Sequence, residues 1–212
     1  MKPLLKQILF AILFINAVLA AEPETGVKPL NKLNINVQSN FFVANDKYND
    51  AYFFPFNPGA EILYERKLTD KVSVSSGANY IYSIWYYSIG IKSDFKRTGH
   101  EIFIPVLFNL KLKSKYYFTT GVYSGWLLKG KEQYKNAMNV KKWMDVTEYD
   151  HYDSVPKFSA DLFLASAYSK PVDNKSSIDF SLFVKYKLAD NWMGEIRSKV
   201  SFGVKINYSF KI

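Results

Sequence analysis

Two histidines and no cysteine set narrow limits on the chemistry this 212-residue chain can perform. A nucleophile needs a base within hydrogen-bond reach and usually a third group to orient that base. His100 is followed two positions on by Ile102 rather than Ser, so an H-x-S arrangement on one strand face is missing. His151 lies in Glu148-Tyr149-Asp150-His151-Tyr152-Asp153 with Ser154 nearby, a spacing that matches no recognised base–nucleophile pair. The carboxylates of this stretch lack the spacing and turn glycine of a calcium loop. Without cysteine there is no disulfide, thiolate metal site or lipid-modified cysteine. The spacings therefore assign no catalytic, cofactor-binding or metal-binding residue and imply no cofactor, and the chain reads as non-enzymatic.

The elements that would position such groups start behind an export signal. Lys2 and Lys6 precede an apolar run from Ile8 to Leu19, and Val18-Leu19-Ala20 has the short residues a signal peptidase reads. The run is shorter than the ~20 residues of a permanent helical anchor. Residues 1–20 are thus expected to be a cleaved signal peptide, and 21–30, with Glu22-Pro23-Glu24-Thr25-Gly26, a flexible periplasmic lead-in. Residues 31–212 form the single remaining domain.

Aromatic residues make up 17% of the chain, an excess that suits strands and membrane interfaces. The net charge is +9. In an exported chain that balance points to anionic lipid head groups or solubility, and no nucleic-acid partner is expected.

Period-2 alternation runs through eight segments. Leu33, Ile35, Val37 and Phe41 alternate with Asn34, Asn36, Gln38 and Asn40, and Ala60, Ile62 and Tyr64 with Gly59, Glu61 and Glu65. Val74, Ala78, Tyr80 and Tyr82 oppose Ser73, Ser75, Gly77 and Asn79, while Ile102 to Leu112 oppose Glu101 to Lys111. The later segments behave alike: Phe118, Val122 and Trp126; Phe158, Leu162 and Leu164; Phe180, Leu182 and Val184; and Phe202, Val204 and Ile206 each mark an apolar face.

A soluble sandwich also alternates, so the connections decide. Short turns at Thr69-Asp70-Lys71, Lys113-Ser114-Lys115 and Ser169 to Lys175 intervene between long connections at roughly 43–57, 84–99, 130–156 and 189–198. An up-and-down barrel with tight periplasmic turns and longer outer loops has that rhythm.

The expected fold is an all-β, eight-stranded antiparallel transmembrane barrel. Tyr64, Tyr116, Tyr168 and Tyr208 should ring its inner rim, and Tyr82, Trp126 and Tyr186 its outer rim. Arg66, the main charge on the apolar face, falls near the inner rim, where a long cation can snorkel to head groups. Glu61, Glu65, Glu101, Asp161 and Asp179 face inward with Lys67, Lys111, Lys185, Lys187 and Lys205. Eight strands leave an interior that side chains fill, so these charges should pair rather than line a pore.

Glu101-Ile102-Phe103-Ile104-Pro105-Val106-Leu107, Gly121-Val122-Tyr123-Ser124-Gly125-Trp126-Leu127-Leu128 and the ending Phe202 to Phe210 resemble the small outer-membrane β-barrel family of Bacteroidetes, which includes PorT-like proteins. Gly59 to Glu65 with Val72-Ser73-Val74 is similar to it as well. The resemblance implies residence in the outer membrane of a Gram-negative cell and carries over no site residues. Ile212 departs from the terminal Phe frequent in such barrels.

Three functional readings follow. The first is a monomeric structural or surface-interaction barrel in contact with outer-membrane lipid, acting through its loops, with a possible protein partner and the 130–156 loop as its most distinctive segment. The second is an accessory subunit of a secretion or uptake complex. The third is a lipid A-modifying enzyme.

Overall fold

The computed structural model describes residues 31–42, 56–89, 93–136, 144–148, 158–189 and 200–212. Nine strands follow in order: β1 (Asn31–Phe42), β2 (Phe56–Lys67), β3 (Val72–Ile89), β4 (Ser93–Lys113), β5 (Tyr116–Asn136), β6 (Met144–Glu148), β7 (Phe158–Pro171), β8 (Ser176–Ala189) and β9 (Val200–Lys211). β6 pairs only with β5, and each of the other eight strands pairs antiparallel with two neighbours in the barrel wall. The order β4-β3-β2-β1-β9-β8-β7-β5 closes on itself through the β4–β5 ladder. Closure pairs β1 with β9, Val37 lying opposite Ile206, and leaves this wall without a sheet edge. The fold is the expected eight-stranded up-and-down barrel.

Local chemistry fixes the short ends. The Thr69 hydroxyl accepts the Val72 N–H at 3.1 Å, and the Asp173 carboxylate accepts the N–H groups of Lys175 and Ser176 at 2.6 and 2.7 Å. Each side chain stands in for a backbone acceptor in a tight reversal. The two chain ends of the barrel meet at the same rim, where the Ile212 N–H donates to the Asn31 carbonyl at 3.0 Å.

Alternation sorts side chains as expected, and the result is inverted relative to a soluble protein. Leu182 is 70% exposed and Val37 58%, while Glu61 is 1% and Asn36 1% exposed. A closed barrel pairs its own backbone donors and acceptors, which is what lets strands cross hydrocarbon. The apolar outer wall supplies the matching surface. Tyr64, Tyr116, Tyr168 and Tyr208 share the outward face at the turn end, and Tyr82, Trp126 and Tyr186 at the loop end.

Two connections differ from the sequence reading. Residues 84–89 and 93–99 are strand and not loop: β3 and β4 pair as far as Ile89 opposite Ser93. Likewise 130–156 is partly strand, because β5 runs to Asn136 and β6 pairs with it from Lys131↔Glu148 to Tyr134↔Met144. The physical reason is a continuing ladder. Once two long strands are in register, further pairs satisfy backbone groups whatever the side-chain pattern. The β3–β4–β5 sheet therefore extends about 20 Å past His100, at ~3.3 Å per residue. Residues 1–30, 43–55 and 190–199, including the expected signal peptide and lead-in, lie outside the described residues.

Candidate functional site

The lumen is the first place to look for a site, and its middle is full. Tyr123 on β5, Phe103 on β4, Phe163 on β7 and Phe183 on β8 converge there with Leu63, Ile81, Leu107 and Ala165. Tyr123 and Phe163 are each 0% exposed. Two of the rings, Phe103 and Phe183, are packed against glycine, and Phe163 has a glycine as its register partner. Phe103 is the register partner of Gly125, Phe163 of Gly121, and Phe183 of Gly203. A Cβ on Gly125 would lie 2.2 Å from the Phe103 ring, and one on Gly203 2.4 Å from that of Phe183. The missing side chains are what let the rings lie flat against the inner wall, an arrangement also used to rescue strand glycines in designed barrels.

Charge is threaded through this plug in matched pairs. Glu61 Oε1 accepts from Lys205 Nζ at 2.7 Å and from Asn36 Nδ2 at 2.9 Å, and Glu61 Oε2 accepts the Tyr123 hydroxyl at 2.7 Å. The carboxylate is 0% and the ammonium group's side chain 9% exposed. Lys185 Nζ lies 4.1 Å from the Tyr123 ring centroid, over the electron-rich face of the ring. Farther toward the loop end, Glu101 accepts the Ser83 hydroxyl and Asp161 is the register partner of Lys187. The sequence reading set Glu61 and Lys205 on the inner face but named no partner for either. It did not foresee that Lys67 would pair with Asp70 in the adjoining turn, at 2.6 Å, instead of with a lumenal acid.

Below the plug the lumen opens. A polar cavity of about 70 Å³ reaches in from the turn end to Asn36, Leu63 and Phe163. It shares Lys32, Glu65, Asn109 and Tyr117 with a mouth of about 230 Å³.

His100 lies on the outer wall. Its Nδ1 is 2.6 Å from the Tyr80 hydroxyl, and its ring is 5.1 Å from that of Tyr82. The outward hydroxyl Ser124 on neighbouring β5 pairs with Ile104, four residues along β4, or about 13 Å at ~3.3 Å per residue. The geometry makes His100 a member of the aromatic belt, with its Nδ1 engaged by the Tyr80 hydroxyl and Thr98 two residues before it on the same face of β4. Among the described residues no group of three or more acidic or histidine side chains could hold a metal ion. His151 and Ser154 lie outside the described residues.

A bulge beside His100 was not legible in the alternation. His100 pairs with Lys129 and Glu101 with Leu127, so Leu128 is the extra residue. Beyond it the parity of β5 reverses, with Gly130 buried and Lys129 exposed.

No family model and no curated protein matches the chain. Solved structures do. A major outer membrane protein from Thermus thermophilus is similar over 86% of this chain and 99% of that one, at 10% identity and a TM-score of 0.50. Neisserial surface protein A is similar over 86% and 97%, at 11% identity and a TM-score of 0.49. Ail, the attachment invasion locus protein of Yersinia pestis, covers 87% and 99% at 9% identity and a TM-score of 0.46. At such identities the likeness is one of fold. Combined with the inverted surface, it makes this protein an integral β-barrel of the cell outer membrane.

Proposed function

We propose that the protein is a non-enzymatic outer-membrane barrel that serves as a structural or surface-interaction protein through its loop-end elements. One observation carries this reading: the lumen is closed at the Tyr123 layer, while β3, β4 and β5 project well beyond the shorter strands with β6 beside them. A closed lumen leaves no path for diffusing solutes, so interaction has to happen on surfaces. Rigid scaffolds commonly display binding elements in this way. Export by a cleaved signal in residues 1–20 and a monomeric barrel belong to the same reading.

The resemblance to PorT-like small barrels supports a second reading, an accessory subunit of a secretion or uptake complex. It is favoured by the projecting sheet, since β2 pairs with β3 only as far as Gly59↔Ile81. Among the described residues, Asn57 Oδ1 of β2 still accepts the Ile84 N–H at 2.7 Å, and from Trp85 to Ile89 β3 pairs with β4 on one side and with no strand on the other. Such an edge is a template for adding a partner's strand.

Extraction of the tagged protein from outer membranes in mild detergent, followed by mass spectrometry, separates the readings. A lone barrel in repeated preparations supports the first. A stoichiometric partner that is lost when residues 84–98 are replaced by a short turn supports the second. A partner that survives that replacement would contradict the assignment of the projecting sheet as the contact.

A further inference from the structure

We infer that the turn-end mouth of the lumen is a binding site for a phosphate group presented from the periplasmic side. Five lysines line it, Lys32, Lys67, Lys71, Lys111 and Lys211, against the carboxylates of Glu65 and Asp70. They come from four strands and one turn, so the barrel itself gathers them. Both carboxylates are already engaged. Asp70 is held by Lys67 at 2.6 Å, and Glu65 accepts the Ser73 hydroxyl at 2.6 Å and Asn34 Nδ2 at 3.1 Å. Lys211 Nζ donates to the Asn174 carbonyl at 2.8 Å. The ammonium groups of Lys32, Lys71 and Lys111 form no hydrogen bond or ion pair among the described residues.

The register sharpens the point. Lys32 and Lys211 are direct cross-strand partners on β1 and β9. Like charges placed opposite each other destabilise a strand pair, and the arrangement is relieved when an anion sits between them. The mouth has room for one, about 230 Å³, and it is blind. The cavity behind it ends at Leu63, Leu107 and Phe163, so an anion drawn in is held and not passed on. Tyr117 and Asn109, which line both spaces, add neutral polar groups beside the lysines. A compact anion with several acceptor oxygens fits this set of donors, and ammonium groups serve phosphate as point charges. The phosphate could come from a phospholipid head group of the adjacent leaflet or from a free phosphorylated solute.

The test uses the full-length mature protein in an uncharged detergent, with inorganic phosphate and short-chain phosphatidylglycerol as separate probes, read by titration calorimetry. Wild type should bind at least one probe, more weakly as salt is raised. Replacing two unpaired mouth lysines, K71Q/K111Q, should weaken binding about tenfold or more, or ~1.4 kcal/mol. K113Q/K170Q makes the same charge change at exposed positions outside the mouth and should leave affinity unchanged. Both doubles should keep the gel mobility of the folded barrel. Binding of phosphatidylglycerol alone identifies the head group as the source, and binding of both probes or of phosphate alone identifies the phosphate itself. Absence of binding to either probe, or equal weakening by the two double variants, overturns the inference.

Discussion

The middle of the lumen and its turn-end mouth are built from the same alternation, yet they handle charge in opposite ways. In the middle, Glu61 meets Lys205 at 2.7 Å among packed rings, with both carboxylate oxygens engaged. At the mouth, lysines outnumber carboxylates around a cavity of about 230 Å³. The difference follows from what shares the layer. Where inward aromatics sit beside inward glycines, rings fill the bore, and a charge survives only if a partner is built in. Where the inward residues are asparagine, serine and lysine, the bore stays open and water can solvate unpaired ammonium groups. Burial enforces pairing in one region, and hydration excuses it in the other.

The strongest way to break this contrast is to empty the middle. Phe103→Ala with Phe183→Ala should cost several kcal/mol, since each buried Phe→Ala change typically costs about 3–5 kcal/mol. It should also join the turn-end cavity to the loop side. Urea unfolding in detergent micelles and planar-bilayer recording check the two effects, with stable current steps expected in the variant and none in the wild type.

Removing charge from the middle should come next in size. Glu61→Leu strands the buried Lys205 ammonium group, and breaking a buried pair in this way costs about 3–5 kcal/mol. Adding Lys205→Met should recover much of that loss, because an apolar pair no longer needs a partner. The same unfolding assay decides, and a Glu61→Leu variant as stable as wild type would show that Lys205 finds solvent.

Packing against glycine gives a smaller test. Gly125→Ala sets a methyl group 2.2 Å from the Phe103 ring, and overpacking of this kind costs about 1–3 kcal/mol. Phe103→Leu in the same chain should relieve part of it.

Much of this contrast was legible in the sequence. Alternation alone placed Glu61, Phe103, Tyr123, Phe163, Phe183 and Lys205 on the inner face, and the structure keeps all of them there. What it could not supply was which residues share a layer, because that depends on the stagger between strands. Phe103 meets Gly125, 22 positions away, only once β4 and β5 are in register. The available signal was inward glycines at 121, 125 and 203 in strands otherwise lined by bulky or polar groups. The stretch 84–99 was read as a loop because its side chains do not alternate cleanly, whereas backbone pairing with β3 and β4 in register does not require that they do. The bulge at Leu128 was hidden for a related reason: it is defined by the partner strand.

The smallest expected effect lies in the turns, where charge is fully exposed. Asp173 accepts the backbone N–H groups of Lys175 and Ser176, and these bonds hold its pKa below the usual 3.8. A carboxyl group whose folded pKa is depressed stabilises the fold above its unfolded pKa, and that contribution is lost as pH falls through the folded value. Asp173→Asn should therefore lower the melting temperature slightly at neutral pH and flatten its decline below about pH 4. A melting series across that range checks it, and parallel curves for the two proteins would count against the turn geometry.

The central claim is a barrel whose outer wall meets lipid and whose bore is shut in the middle and wet at the turn end. Because the chain has no cysteine, a single-cysteine spin-label scan along β8 from Ile178 to Leu188 in lipid bilayers tests it directly. Labels at Phe180, Leu182 and Val184 should be accessible to oxygen and shielded from a water-soluble nickel reagent. Labels at Asp179 and Ser181, which line the turn-end cavity, should meet the nickel reagent, and labels at Phe183 and Lys185 should meet neither. Nickel access at Phe183 and Lys185 would mean an open bore, and nickel access at Phe180, Leu182 and Val184 would mean that the wall does not face lipid. Either result would contradict the account.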